Sequence, residues 1–134
     1  MRRFDDIGVQ VPEVLLPKAG IDLTRWAVVA CDQFTSEPEY WHDVERLVGE
    51  APSTLRLVLP EIYLDKPDTP ARVERIHRTM QSYVDDGTLR PHTGFVYVER
   101  SVAGRARRGI VLAIDLDQYD HSKGASSLIR ATEG

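Results

Sequence analysis

The chain is predicted to be α/β, with α+β as the near alternative: a small mixed β-sheet, two packed helices and a C-terminal β-hairpin. Two stretches repeat apolar residues at the helical period. Short continuous apolar runs precede each of them and have the pattern of buried strands. Two segments rich in β-branched and aromatic residues, joined by a Gly-containing linker, close the order. Strand, helix, strand, helix, strand, strand implies a mixed sheet with helices packed on it. At 134 residues this is expected to be a single domain, 1–134, with one core.

The elements follow in order. Gly8 to Asp22 carries Pro12, Pro17 and Gly20 and is expected to be extended chain with turns. Trp26 to Cys31 is the first strand, buried on both faces. Ser36 and Glu39 stand in capping-box spacing around Pro38, which suits a first helical position. Tyr40, Trp41, Val44, Leu47 and Val48 then share one helical face, and Gly49 ends the helix. Leu55 to Leu59 is a second short strand, closed by Pro60. A second helix starts near Thr69-Pro70, with Val73, Ile76, Met80, Tyr83 and Val84 as its buried stripe. Glu74 and Arg78 are spaced for an i,i+4 pair, and Gly87 suits the left-handed position past the helix end. Phe95 to Val102 and Gly109 to Leu116 form the hairpin, with the turn in Ala103 to Ala106. Ile110, Leu112, Ile114 and Leu116 share a face, which fits a central place in the sheet. Residues 119–134 form a polar tail, expected to be flexible, that stops without a terminating helix; this suggests a piece of a longer protein.

Composition narrows the setting. A 42% hydrophobic and 28% charged chain is an ordinary globular composition. One cysteine, Cys31, excludes an internal disulfide, and its apolar run predicts a buried reduced thiol. No apolar run approaches the ~20 residues of a membrane helix, and no apolar stretch follows the basic start as in a signal peptide. The cytoplasm is the expected location. A net charge of -4 gives no general attraction to nucleic acid or an anionic membrane.

Several patterns carry no chemistry. The four histidines lack metal-ligand spacing, and Asp120-His121-Ser122 is a turn rather than a triad, because neighbouring side chains diverge. Gly104 and Gly109 have phosphate-loop spacing, but Ile110 and Val111 stand where Lys and Ser or Thr are required. Arg100, Arg105, Arg107 and Arg108 make the hairpin basic, either as a solvated turn or as a contact surface. Only Tyr97 interleaves with them, so a stacking platform for single-stranded nucleic acid is not expected.

Two stretches are candidate sites. Asp32, Gln33, Thr35 and Ser36 lie between the first strand and the first helix, where α/β sheets bind ligands; Thr35 and Ser36 also suit helix caps. In the tail, Lys123, Ser126, Ser127, Arg130 and Thr132 place two cations and three hydroxyls around Gly124, a composition that suits phosphate. Glu133 is a candidate general base or metal ligand beside it, and Asp32 a candidate acid, base or magnesium group.

The runs Trp26 to Trp41, Ala51 to Leu55 and Ser122 to Gly134 resemble the bacterial and archaeal domain of unknown function 1015 across nearly the whole chain. The resemblance implies a soluble protein of several hundred residues, of which this chain would be the opening third, and an unassigned activity. In distant members a proline-rich Tyr-Asp segment stands at Cys31-Asp32, and an Arg-His-Glu segment at residues 129–133. By that match Asp32, Arg130 and Glu133 correspond, while the histidine is replaced and its role does not carry over. A more distant likeness to the ParB and sulfiredoxin superfamily implies nucleotide chemistry.

The function expected is binding or processing of a nucleotide or phosphorylated small molecule, with magnesium as the accompanying ion. Lys123, Ser126 and Arg130 would hold the phosphate. The alternative is a non-enzymatic regulatory or partner-binding module that uses the arginine-rich hairpin as its contact surface. Self-association is expected if a missing part normally covers this piece.

Overall fold

The computed structural model describes residues 4–118 together with Ser122. Helices and small sheets are mixed along the chain, as the predicted class requires. The strands pair as three two-stranded sheets: β1 (Val9–Gln10) with β6 (Ala113–Ile114), β2 (Glu13–Pro17) with β3 (Leu89–Thr93), and β4 (Val96–Val102) with β5 (Arg105–Val111). Contacts divide the chain into two compact units. One is Leu15–Arg90; the other combines Met1–Val14 with Pro91–Gly134.

In the Leu15–Arg90 unit, the expected strand at residues 26–31 does not form. The Asp22 carboxylate accepts from the Thr24 N–H at 3.0 Å and starts a short helix, α1 (Leu23–Trp26). Trp26 is buried, but residues 27–30 have no regular structure and Cys31 is half-buried rather than buried. The same device removes the expected strand at residues 55–59. Ser53 Oγ accepts from the Leu55 N–H at 3.1 Å and opens a 3₁₀ turn at Thr54–Leu57.

The two long helices form as predicted. Helix α2 (Pro38–Val48) has its proline in the first turn and ends at Gly49, whose φ of 52° is left-handed. Trp41 and Val48 are buried, Tyr40 and Val44 half-buried, and Leu47 exposed. Glu37 occupies the cap position without a side-chain hydrogen bond, so the Ser36–Glu39 capping box does not form. Helix α3 (Thr69–Asp85) ends with Gly87 at φ 74°, and Glu74 pairs with Arg78 at 3.6 Å. Of its expected stripe only Tyr83 is buried; Met80 and Val84 are exposed.

Trp26, Tyr83 and Leu89 form the core cluster of this unit, with Ile21 and Leu57 against it. The buried Ser53 ties the cluster together. Its N–H donates to the Tyr83 hydroxyl at 3.0 Å, and its Oγ donates to the Trp26 carbonyl at 3.2 Å. Thr54 Oγ1 donates to that carbonyl at 2.7 Å. The last carbonyl of α1 thus gains the partners that its short helix cannot supply.

In the other unit, the hairpin turns on two residues. Ala103 and Gly104 have φ of 50° and 76°, the signs of a type I′ turn, whose twist matches its strands. Arg105 and Ala106, expected in the turn, belong to β5. The predicted central position is not found. Strands β4 and β5 pair with each other from Val96↔Val111 to Val102↔Arg105, and residues 97–111 are exposed on both faces. Leu112 interrupts the strand, and Ala113–Ile114 turns to pair with β1. Ile110, Ile114 and Leu116 therefore share no buried face; Ile110 is 63% exposed and Leu116 71%.

Candidate functional site

The Leu15–Arg90 unit contains a cleft of about 360 Å³ between α2, the 3₁₀ turns and α3. Helical spacing places Arg72, Arg75, Ile76 and Thr79 on one side of it, at i, i+3, i+4 and i+7 of α3. Arg56 enters from the Thr54–Leu57 turn, Tyr63 from the Glu61–Tyr63 turn and Glu45 from α2. Leu55, Leu59 and Pro60 supply apolar wall. Three guanidinium groups face one carboxylate, so the lining favours an anion.

Local bonds hold most of these side chains. The Tyr63 hydroxyl donates to Glu45 Oε1 at 2.8 Å, and the Arg72 guanidinium lies 3.6 Å above the centre of the Tyr63 ring. Arg72 Nε also donates to Asp68 Oδ2 at 2.7 Å, which fixes the plane of the guanidinium. Partial burial and then the bond to Glu45 push the Tyr63 pKa up to about 12, so the phenol stays neutral. Thr69 Oγ1 donates to the Tyr63 carbonyl at 2.6 Å and anchors that turn to the start of α3. Arg56 donates to the Gly49 carbonyl at the end of α2. Arg75 alone of the three has no side-chain hydrogen bond or ion pair among the described residues. Of the three cleft arginines it is thus the one whose guanidinium is not already engaged by the protein.

Of the residues predicted from sequence, Asp32, Gln33 and Thr35 do not line this cleft. Asp32, Gln33 and Thr35 are exposed in two successive turns, closed by Gln33 N–H to the Ala30 carbonyl and Glu37 N–H to the Phe34 carbonyl. Gln33 Nε2 donates to Asp32 Oδ1 at 3.3 Å, and the Gln33 carbonyl accepts from Trp41 Nε1 at 3.1 Å. Phe34, at φ 54°, stacks on Tyr40 with ring centres 4.0 Å apart. Helix α1 and the irregular residues 27–30, rather than a strand, lead into this loop, so the strand-end placement behind the expectation is not met. Lys123, Ser126, Ser127, Arg130, Thr132 and Glu133 lie outside the described residues. Among the described residues no three His, Cys, Asp or Glu side chains gather as metal ligands, and no helix is long and apolar enough to cross a membrane.

A family model described as protein of unknown function, DUF1015, matches residues 15–134. The chain belongs to this family. The DUF1015 match includes all of the Leu15–Arg90 unit, and hence the cleft, as well as the hairpin. No curated protein and no solved structure matches the chain. None of Arg56, Tyr63, Arg72 and Arg75 stands out along the sequence, because they come from three elements. The one local signal is on α3, where Arg72, Arg75 and Thr79 flank Ile76 on a face otherwise expected to meet the core.

Proposed function

We propose that this DUF1015 protein binds a small phosphorylated molecule, such as a nucleotide, in the arginine-lined cleft. The observation that carries the proposal is the convergence of Arg56, Arg72 and Arg75 on a cleft of about 360 Å³ that also has an apolar wall. Such a volume suits a small ligand, and a few polar groups set against apolar lining orient one. Arg75 supplies the phosphate contact, since the other two guanidiniums are engaged by Asp68 and Gly49. Leu55, Leu59 and Ile76 take the uncharged part of the ligand.

A thermal-shift screen with ATP, ADP, inorganic phosphate and phosphoserine, with and without magnesium, tests this. A ligand at 100 times its Kd stabilises the fold by about 2.7 kcal/mol. Arg75→Ala removes a charge-assisted contact of about 1.5–3 kcal/mol and weakens binding roughly tenfold to a hundredfold. Arg130→Ala and Glu133→Ala test the tail in parallel. A shift abolished by the tail variants and untouched by Arg75→Ala moves the phosphate site to Lys123, Ser126 and Arg130. No shift with any compound rejects the proposal.

A further inference from the structure

The register of the hairpin sorts its four arginines onto two faces. Directly opposed residues of an antiparallel pair share a face, and alternate residues along a strand change face. Val96, Val98, Arg100 and Val102 of β4 therefore lie on one face with Val111, Arg107 and Arg105 of β5. Tyr97, Glu99, Ile110 and Arg108 lie on the other. On that second face the charges are matched: Arg108 Nε donates to Glu99 Oε2 at 2.8 Å, and the Tyr97 hydroxyl donates to the same oxygen at 3.0 Å. The Glu99 carboxyl is held below its usual range, first by Arg108 and then by Tyr97.

The first face has no such compensation. Arg100, Arg105 and Arg107, with Val102, line a concavity of about 310 Å³ and make no ion pair among the described residues. Arg100 and Arg107 stand directly opposite each other, an arrangement that like-charge repulsion disfavours. Valines 96, 98 and 111 continue the same face, with Val98 44% and Val111 44% exposed. A two-stranded hairpin bare on both faces is at best marginally stable in water. The combination of three unmatched cations and an aliphatic strip on one face defines what would cover it.

We infer that this face of the β4–β5 hairpin docks an acidic protein segment that also carries aliphatic side chains. The carboxylates meet Arg100, Arg105 and Arg107, and the aliphatic groups meet Val96, Val98 and Val111. A protein segment is favoured over nucleic acid by what shares the face: the aromatic side chain of Tyr97 is on the opposite face, where it cannot stack a base beside these arginines, and valines stand there instead.

The test is fluorescence anisotropy of the full chain with a labelled peptide alternating glutamate and leucine. Controls are the same peptide with glutamine for glutamate and a single-stranded oligonucleotide of equal charge. Binding of the Glu/Leu peptide should weaken as salt rises. In the triple variant Arg100→Gln, Arg105→Gln, Arg107→Gln it should weaken by about tenfold or more, as two or three charge-assisted contacts are lost. Arg108→Gln should leave it unchanged. A lysine-for-glutamate peptide on the unaltered chain should not bind, which keeps the test decisive if the triple variant folds poorly. Equal loss in Arg108→Gln, tighter binding of the oligonucleotide, or a dimer in light scattering that the triple variant abolishes would each overturn the inference. The last two outcomes would name nucleic acid or a second copy as the occupant.

Discussion

The Leu15–Arg90 unit and the β4–β5 hairpin use similar side chains under opposite conditions. In the first, two of the three cleft arginines are held by their surroundings before any ligand arrives, Arg72 by Asp68 and the Tyr63 ring and Arg56 by the Gly49 carbonyl, which leaves Arg75 for the ligand. In the hairpin, only Arg108 is so held, and three arginines stand unmatched on one face. Aromatic residues divide the same way. Trp41 is fully buried and Trp26 and Tyr83 nearly so, whereas Tyr97 is 61% exposed. A pre-organised pocket suits a small ligand that must be oriented, and an unmatched charged strip suits a partner that brings its own countercharges.

Removing an aromatic from each region should separate them most sharply. Trp41→Ala vacates a site with no solvent exposure and is expected to cost about 3–5 kcal/mol. Tyr97→Ala removes an exposed ring and should stay within about 0.5 kcal/mol. Urea denaturation reads both as changes in midpoint. Equal effects would mean that the Tyr97 face of the hairpin, opposite the arginine face, is covered in solution, and the contrast between the two regions would be lost.

Tyr83→Phe is the next largest effect. It keeps the ring against Trp26, 5.9 Å between centres, and removes the hydroxyl that accepts from the buried Ser53 N–H. An unpaired buried donor costs about 1–3 kcal/mol. The same denaturation experiment measures it, and a midpoint equal to that of the unaltered chain would show that Ser53 finds another partner.

What was legible in the sequence follows from how local each signal is. Helices α2 and α3 were readable because a proline near the start, a glycine past the end and the apolar period all agree. The hairpin was readable from its β-branched strands. Both apolar runs misread as strands follow a residue whose side chain binds the backbone two positions on: Asp22 to Thr24 N–H, and Ser53 to Leu55 N–H. That bond rewards a helical turn, and an apolar run of four or five residues has no periodicity to oppose it. Beyond the arginines spaced along α3, the cleft was not legible, since Arg56, Tyr63 and Arg75 become neighbours only after α3 packs beside the two 3₁₀ turns.

The smallest expected effects concern the two tyrosines that donate to glutamates, one in each region. Burial is the largest cause of the raised Tyr63 pKa, with the bond to Glu45 second. For Tyr97 the order is reversed, the bond to Glu99 coming first. In both, the folded state favours the neutral phenol. The associated stability is complete below the ordinary value of 10.0 and, for Tyr63, is lost as pH rises from there to about 12. Ultraviolet titration of the phenolate therefore distinguishes the regions. Glu99→Ala should return Tyr97 towards its ordinary value, because its main cause is gone. Glu45→Ala should bring Tyr63 only part of the way back, because burial by the cleft walls persists. A complete return of Tyr63 would mean that the cleft is wetter than its packing implies, and Arg75 would then face a bound phosphate through solvent rather than across a walled pocket.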